Sequence, residues 1–566
     1  MKRSVTKIGF ALAYLPILLI GEISSTKEEE LNEARDFFQG MDVQPPEEIL
    51  EWLKSKKILE EKPIEEFGDK ELPPIELSLN EAVATTLENQ WQIDIAESEV
   101  TRRFGEWQST AGPFDPVLTT SLRGEWLLDP QQIGFKTDDK GTITTLNAVV
   151  EKLTRPGTSF SVGTTVQRVH DPSLASVSPG IPRFTQSTLT FQMTQPLLRR
   201  FLYNQESVDE IVSSLQYEAA QYLLVQTMAE EVLNTILAYW EMVAAEKVVE
   251  INEDAQQILE GLASSTFRLV EAEQLAASEL NEQIAELSRN RRDLIASRQD
   301  VYETYNTLLF QMGERKCEFS ENLPHLIVEN FTTPFPHKRA WDIDCLLQQA
   351  YLHRGDLIAA RIRLQETDVQ LRLARNNILP ELDMIFGVEL LNNTVGSSGQ
   401  RFFSSYYPND MEKDLSAEVR LSIPFWNDRA RGERTQKYQE RMQAFLEENE
   451  LWSGIYNESA VALREQIELV DEIYYANKAA EWYEIALRDE ILRTKAGYGS
   501  LFVVIDFENR FRRILIERVN VKKQYAQNIA RLLFLTGTLV LIDPVTHEVL
   551  VDPLNCEHLV RHDEQN

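Results

Sequence analysis

Cysteine is almost missing from this chain. Three residues, Cys317, Cys345 and Cys556, stand in 566. That is no disulfide framework, and none sits near the N-terminus, where a lipid anchor would need it. Long apolar runs are also missing. The sequence holds no stretch of about 18 apolar residues, so no transmembrane helix is expected. A transmembrane β-barrel is untouched by that exclusion, because its strands are short and half polar. Catalytic signatures are absent as well: there is no Gly-x-x-x-x-Gly-Lys, no His-Glu-x-x-His and no Cys-x-x-Cys. The seven histidines are scattered, and His558 and His562, though at helical metal spacing, lie in a charged tail. No enzyme activity, cofactor or metal is therefore expected. Basic residues are scarce: 57 Lys and Arg face 90 Asp and Glu, a net charge of −33. A surface of that sign excludes a nucleic-acid partner.

What is present begins with an apparent export signal. Lys2, Arg3 and Lys7 precede an apolar core, Ile8 to Ile20, and then Gly21, Ser24 and Ser25. The core is too short to span a bilayer, so residues 1–25 are expected to be a signal peptide. Without an Ala-x-Ala site the cleavage point is undefined. Residues 26–76 carry 16 acidic and 7 basic residues, with prolines at 45, 46, 63, 73 and 74. They form an acidic N-terminal extension with no assignable job. The tail, 541–566, carries no signature either.

The rest of the chain repeats itself. Leu308-Leu309-Phe310-Gln311-Met312-Gly313 matches Leu532-Leu533-Phe534-Leu535-Thr536-Gly537. Leu79, Val83, Ile93 and Ala96 match Ile343, Leu347, Leu357 and Ala360 in register. Each copy opens with an amphipathic helix that ends near a proline, Pro113 or Pro380. Each later meets a second proline, in Gln195-Pro196-Leu197-Leu198 or Ile423-Pro424-Phe425-Trp426. The first copy holds 39 more residues between its prolines than the second.

Between those prolines apolar and polar residues alternate with period 2. Leu415, Ala417, Val419 and Leu421 oppose Ser416, Glu418, Arg420 and Ser422. Leu382, Met384, Phe386 and Val388 oppose Glu381, Asp383 and Glu389. Leu189, Phe191 and Met193 oppose Thr188, Thr190 and Gln192, and Leu118, Leu122 and Trp126 oppose Thr119, Ser121, Arg123 and Glu125. Each run is about as long as a tilted strand crossing a bilayer. A soluble antiparallel sheet with one wet face shows the same alternation. The insertion adds a further hairpin, Thr144–Thr154 and Ser159–Val169, around Arg155-Pro156-Gly157. It either enlarges a barrel or stands outside it.

Very long helices fill the remainder. From Trp426 to Gly497 there is no proline, and apolar residues recur at three- and four-residue steps. Arg199 to Gly261 and Thr266 to Met312 behave alike, with Ile236, Trp240, Val243 and Val248 as one stripe. A helix of such length must pack as a coiled coil or a helical tube. A non-pore periplasmic coiled-coil structural protein would share this feature. It would not share the bilayer-length strands, placed twice behind an export signal.

The order helix, proline, strands, proline, long helix, tip, helix, given twice, resembles the TolC family of outer membrane efflux proteins. Leu77-Ser78-Leu79-Asn80-Glu81-Ala82-Val83 is similar to the family's opening segment. Gln195-Pro196-Leu197-Leu198-Arg199 and Ser422-Ile423-Pro424-Phe425-Trp426 resemble its strand-to-helix returns. Gly261, Leu262, Ala263 and Ser264 resemble the first coiled-coil tip. The segment from Ala496 to Asp506, with Gly497, Tyr498, Gly499, Ser500 and Leu501, resembles the second. The resemblance covers residues 77–540, as a first repeat 77–313, an equatorial connection 314–340 and a second repeat 341–540.

The resemblance implies a mainly α-helical fold with transmembrane β: a long coiled-coil tube in the periplasm and an antiparallel barrel in the cell outer membrane. Three protomers share that barrel and give four strands each. It implies the exit duct of a tripartite efflux or type I secretion system, carrying substrates passively. Its partners would be two sister copies, a periplasmic adaptor (membrane fusion) protein, an inner-membrane pump and outer membrane lipid. The two tips would dock the adaptor. Asp506 would line the pore entrance, although Val503 and Gly499 depart from the family's pattern of paired acidic and basic gating residues. Arg123, Glu125, Glu381, Asp383, Glu418 and Arg420 would face the barrel lumen, since charge on the lipid face is costly.

Overall fold

The computed structural model describes residues 3–4, 75–127, 141–170, 183–271, 277–314, 326–327, 331, 342–395, 412–496, 498–542 and 548–551. The apolar core of the expected signal, the acidic arm up to residue 74, Cys317, Cys556, His558, His562 and Gly497 lie outside the described residues.

Each half opens with two helices in series. In the first half they are α1, Leu79–Asn89, and α2, Trp91–Thr110. Ser78 starts α1 with a capping box: its hydroxyl accepts from the Glu81 amide at 3.2 Å, and the Glu81 carboxylate accepts from the Ser78 amide at 3.0 Å. Four strands follow: β1 Val117–Leu127, β2 Gly141–Leu153, β3 Ser159–His170 and β4 Arg183–Pro196. A 67-residue helix, α3, spans Gln205–Glu271, and α4 returns over Ala277–Gln311. The second half repeats the plan with α5 Ile343–His353, α6 Gly355–Asn376, β5 Glu381–Val395 and β6 Glu412–Ser422. It ends with the 68-residue α7, Asp428–Lys495, and α8, Leu501–Leu535. At 1.5 Å per residue, each long helix is about 100 Å in length.

Three boundaries differ from expectation. The opening segments each break into two helices, at Gln90 and Arg354, where the backbone turns extended. The first long helix begins at Gln205 rather than Arg199. Arg200 (φ 70°) and Leu202 (φ 61°) hold the left-handed conformation, which a helix cannot accommodate. The chain also stays helical through Gly261–Ser264 as far as Glu271, so Gly261 is not the point of reversal.

The six strands form one antiparallel sheet in the order β1-β2-β3-β4-β5-β6. Among the described residues this sheet therefore has six strands, not the four that the resemblance implies. The inserted hairpin is the cause: β2 pairs with β1 from Val117↔Glu151 to Leu127↔Gly141, and β3 pairs with β4 from Ser159↔Thr194 to His170↔Arg183. Short strands add two minor sheets. Ile75–Glu76 lies parallel to Leu326–Ile327, and Arg3–Ser4, Glu548–Val551 and Val540–Ile542 form a three-stranded sheet.

The helices stand in a row of four columns. Stacked α2 and α4 make the first, α3 the second, stacked α6 and α8 the third, and α7 the fourth. The columns are joined end to end by the repeated Leu-Leu-Phe-x-x-Gly motif. Gly313 closes α4 with φ 75° beside Gln90, and Gly537 closes α8 with φ 69° beside Arg354. Gln90 Nε2 donates to the Gln311 carbonyl at 3.0 Å across the first junction. The main hydrophobic core surrounds these junctions, with Leu79, Ile93, Tyr239, Trp240, Met242, Leu308, Tyr525 and Leu533 all buried.

Candidate functional site

Toward its base the sheet has two chemically opposite faces; farther from the helices the apolar face gives way to Thr185 and Ser187, which are buried with Val166. One row of partnered residues runs across all six strands: Leu118, Val150, Val162, Phe191, Val388 and Leu415. These side chains are uncovered within the subunit, from 36 % exposed at Val388 to 82 % at Leu415. Exposure of so many large apolar groups in one row marks a surface that meets something other than water. The neighbouring row, on the reverse face, reads Val117, Glu151, Ser161, Gln192, Gly387 and Ser416. The strands of 11–15 residues, tilted by roughly 40° as in a barrel, rise about 28–38 Å, enough to cross an outer membrane apolar band of about 25 Å.

All six residues expected in a lumen share that polar face. Arg123 pairs with Glu125 at 2.6 Å and Arg420 with Glu418 at 3.0 Å. Glu381 and Asp383 stand at the base of the sheet, held to Arg199 at 3.2 Å and Arg200 at 3.1 Å. Asp383 is buried there, whereas the charges of β1 and β6 are open. Among the described side chains, the cations Lys152, Arg168 and Lys413 share the apolar face and stand near the ends of their strands, where long side chains can reach a polar headgroup layer.

The base of the sheet carries exposed aromatics. Phe425 and Trp426 are 91 % and 77 % exposed, and Phe201 and Tyr203 lie in the matching segment of the first half. Amphipathic rings at one level suit a membrane interface. The junction beneath them is cross-linked by hydrogen bonds. Asn376 Oδ1 accepts from the Arg200 amide at 2.8 Å, the Leu197 amide donates to Leu382 at 2.8 Å, and Asn427 Nδ2 donates to Ile378 at 3.1 Å.

Sheet and helical row both stop at bare edges. Among the described residues, β1 has no partner on one side and β6 none on the other. The outer helical columns show apolar stripes: Tyr438, Met442, Phe445, Tyr474 and Trp482 on α7, and Trp91, Ile95, Ile284 and Ile295 on α2 and α4. Both elements therefore end on the same two sides of the chain in surfaces fit for pairing.

At the end remote from the sheet, α7 turns into α8. The Tyr498 amide donates to Arg493 at 3.0 Å, and Tyr498 and Phe502 project into solvent, 85 % and 62 % exposed. Gly499 packs against Thr494, and Ser500 and Leu501 start α8. Asp506 lies one turn in and is bound by Arg510 at 2.8 Å, so part of its charge is offset inside the subunit. Gly261, Leu262, Ala263 and Ser264 lie in the last turns of α3, where Ser264 donates to Gly261 at 3.0 Å.

Between this tip and the core lies a buried polar layer that sequence spacing does not flag, since its members come from three helices. Glu508 and Arg512 of α8 are buried, with Arg512 Nε 4.0 Å from the Glu508 carboxylate. Arg512 also reaches Asp293 of α4 at 3.5 Å, Asn252 of α3 at 3.5 Å and Asn509 at 2.8 Å. Asn509 donates to Glu286 at 3.0 Å. Burial pushes the Glu508 carboxyl up to about 7; Arg512 opposes the rise and Glu286 adds to it. On α4, Gln283 and Asn290 are buried, and among the described residues neither side chain has a hydrogen-bond partner on either polar atom. Among the described residues no helix is long and apolar enough to cross a membrane.

The chain matches no protein-family model and no curated protein sequence. Solved structures do match. The CmeC outer membrane channel of Campylobacter jejuni aligns with a TM-score of 0.56 at 13 % identity, covering 81 % of this chain and 85 % of that one. The outer membrane protein VceC of Vibrio cholerae aligns at 0.57 and 14 % identity, covering 81 % and 96 %. The open state of the MtrE outer membrane channel of Neisseria gonorrhoeae aligns at 0.56 and 13 % identity, covering 81 % and 88 %. The chain has the TolC-like fold of these outer membrane channels.

Proposed function

We propose that this protein is an outer membrane exit duct, working in a tripartite efflux or type I secretion system. Three copies close a barrel in the outer membrane and a helical tube in the periplasm. The observation that carries this reading is the two-faced sheet whose open edges coincide with apolar edges of the helical row. An unclosed sheet in lipid leaves backbone groups unsatisfied, so the sheet needs sister copies to complete it. Strand β1 leads away from the helices and β6 leads back, so β1 of one copy meets β6 of the next antiparallel. Column α2/α4 of one copy then packs on α7 of its neighbour.

In this assembly the row from Leu118 to Leu415 faces lipid. Arg123, Glu125, Glu381, Asp383, Glu418 and Arg420 face the aqueous lumen. The turn at 497–501 and the helical segment Gly261–Ser264 near the end of α3 dock a periplasmic adaptor, through which an inner-membrane pump delivers cargo. Residues 1–25 direct export. Transport through the duct is passive, since the power comes from the pump. Asp506 stands at the periplasmic mouth as a threefold ring, moderated by Arg510.

Fractionation and conductance test the reading together. Outer membranes of expressing cells should yield trimers that dissociate on heating, and purified trimers should open ion-conducting pores in planar bilayers. Recovery of the chain as a soluble rod would overturn the proposal.

A further inference from the structure

We infer that the inserted hairpin, β2–β3, is part of the pore wall and widens it, so that three subunits build an eighteen-stranded barrel. This deepens the proposed export role and rests on it. The first support is register. Apolar partners continue through the hairpin, from Leu118 to Val150 to Val162 to Phe191, and polar partners do so on the other face, from Glu151 to Ser161 to Gln192. A hairpin standing outside a barrel has no reason to repeat the two-faced pattern of the wall on both sides of itself.

The second support is anchorage. The hairpin's turn is fixed to the start of α3 at the base of the sheet. The Arg155 carbonyl accepts from Asn204 Nδ2 at 2.8 Å and from Ser207 Oγ at 2.6 Å. The Arg155 guanidinium binds Glu210 at 2.6 Å, and the Leu202 amide donates to Pro156 at 3.1 Å. Gly157 has φ 94°, and a Cβ there would stand 2.5 Å from the Arg200 carbonyl oxygen. The turn thus sits at the same level as the junctions that seat β4 and β5.

The third support is arc length. Strands about 4.8 Å apart, tilted by roughly 40°, each take about 6.3 Å of circumference, so six take about 38 Å. Four helical columns, at about 9–10 Å each, take about 36–40 Å. Six strands therefore sit over four helices without a taper, whereas four strands would cover only about 25 Å. An eighteen-stranded wall has a radius of about 18 Å, against about 12 Å for twelve strands. The bore is roughly 1.5-fold wider, in the size range of porins that keep an open aqueous channel. Such a barrel admits bulkier cargo than a twelve-stranded one.

Cysteine accessibility tests this in the full-length chain with Cys317, Cys345 and Cys556 changed to Ser. Single variants Val162→Cys and Ser161→Cys report on the hairpin; Phe386→Cys and Ser416→Cys report on the second-half wall. Each is treated, in outer membranes, with a water-soluble maleimide, and separately labelled and exposed to a lipid-borne quencher. The inference expects Ser161→Cys and Ser416→Cys to react with the maleimide, and Val162→Cys and Phe386→Cys to be shielded from it and quenched from the lipid. Reaction at both hairpin positions, with Phe386→Cys still shielded, puts the hairpin outside the wall and overturns the inference alone. Equal reaction at all four positions overturns the export role itself. A strand count from electron microscopy of extracted trimers tests the inference independently: eighteen supports the wider wall and twelve refutes it.

Discussion

Gly537 lies so close to Arg354 that a Cβ built on it would stand 2.7 Å from the Arg354 amide nitrogen. Gly313 stands in the same relation to Gln90, also at 2.7 Å. Each glycine ends a returning helix in a left-handed conformation and lets the next helix of its column start directly above. The break in each opening segment thus exists to receive the helix end from the same repeat. Gly537→Ala brings both a left-handed alanine and a backbone clash. The first costs about 1–2 kcal/mol, and the second adds to it. In the proposed assembly, the temperature at which the purified trimer dissociates should fall by several degrees. Gly454→Ala is the control, since nothing lies within 4 Å of its added methyl and it sits mid-helix in α7. It should raise stability by up to about 1 kcal/mol.

Glu508 gives a pH dependence with a definite sign. Its folded-state carboxyl titrates near 7, above the ordinary 4.5, because it is buried. The folded chain therefore holds this proton over a range where an unfolded chain has lost it. Stability from this group is complete below about pH 4.5 and lost as pH rises through 7. The groups facing it are Arg512, which favours ionisation, and Glu286, which opposes it; Asp293 acts through Arg512. A shift of this size corresponds to about 3 kcal/mol per subunit. Glu508→Gln should flatten the loss of stability between pH 5 and pH 8, measured by denaturant unfolding. A variant that keeps the wild-type slope would show that another group sets it.

Much of the wall was legible because a strand's faces are set locally. Leu415 and Val419 fall two and four residues apart from their neighbours, and no distant contact is needed to place them on one side. The duplicated Leu-Leu-Phe-x-x-Gly motif was legible for the same reason. Its purpose was not, since Gly537 and Arg354 meet only after the helices stack. Gln90 carries no proline or glycine, so its break is imposed by tertiary packing. The hairpin around Gly157 could be read from its turn, but its place between β1 and β4 is a matter of long-range register. The layer of Glu508, Arg512, Asp293 and Asn252 was hidden because three helices supply it, each with one or two polar residues that look solvated in sequence.

Asp506 and Arg510 make the tip testable. In the proposed assembly a threefold carboxylate ring attracts multivalent cations, as charged rings do in cation channels. Arg510, 2.8 Å away, offsets that field. Asp506→Ala should abolish block of single-channel current by a trivalent cation added on the periplasmic side. Arg510→Ala should strengthen that block several-fold. Unchanged block in Asp506→Ala would remove this residue from the pore mouth.

Phe191 and Gln192 are adjacent on β4 and belong to opposite faces, Phe191 partnered with Val162 and Val388, Gln192 with Ser161 and Gly387. One charge placed at either position separates a membrane wall from a soluble sheet. Phe191→Arg sets a guanidinium against hydrocarbon at a cost of about 2–4 kcal/mol near the midplane, three times over in a trimer. Outer membrane yield of the heat-modifiable species should drop steeply. Gln192→Arg sets the same group against water, should assemble normally, and should shift the reversal potential of the open pore toward anions. A sheet bathed by water on both faces would tolerate the two substitutions alike, and equal yields would argue that these strands never meet lipid.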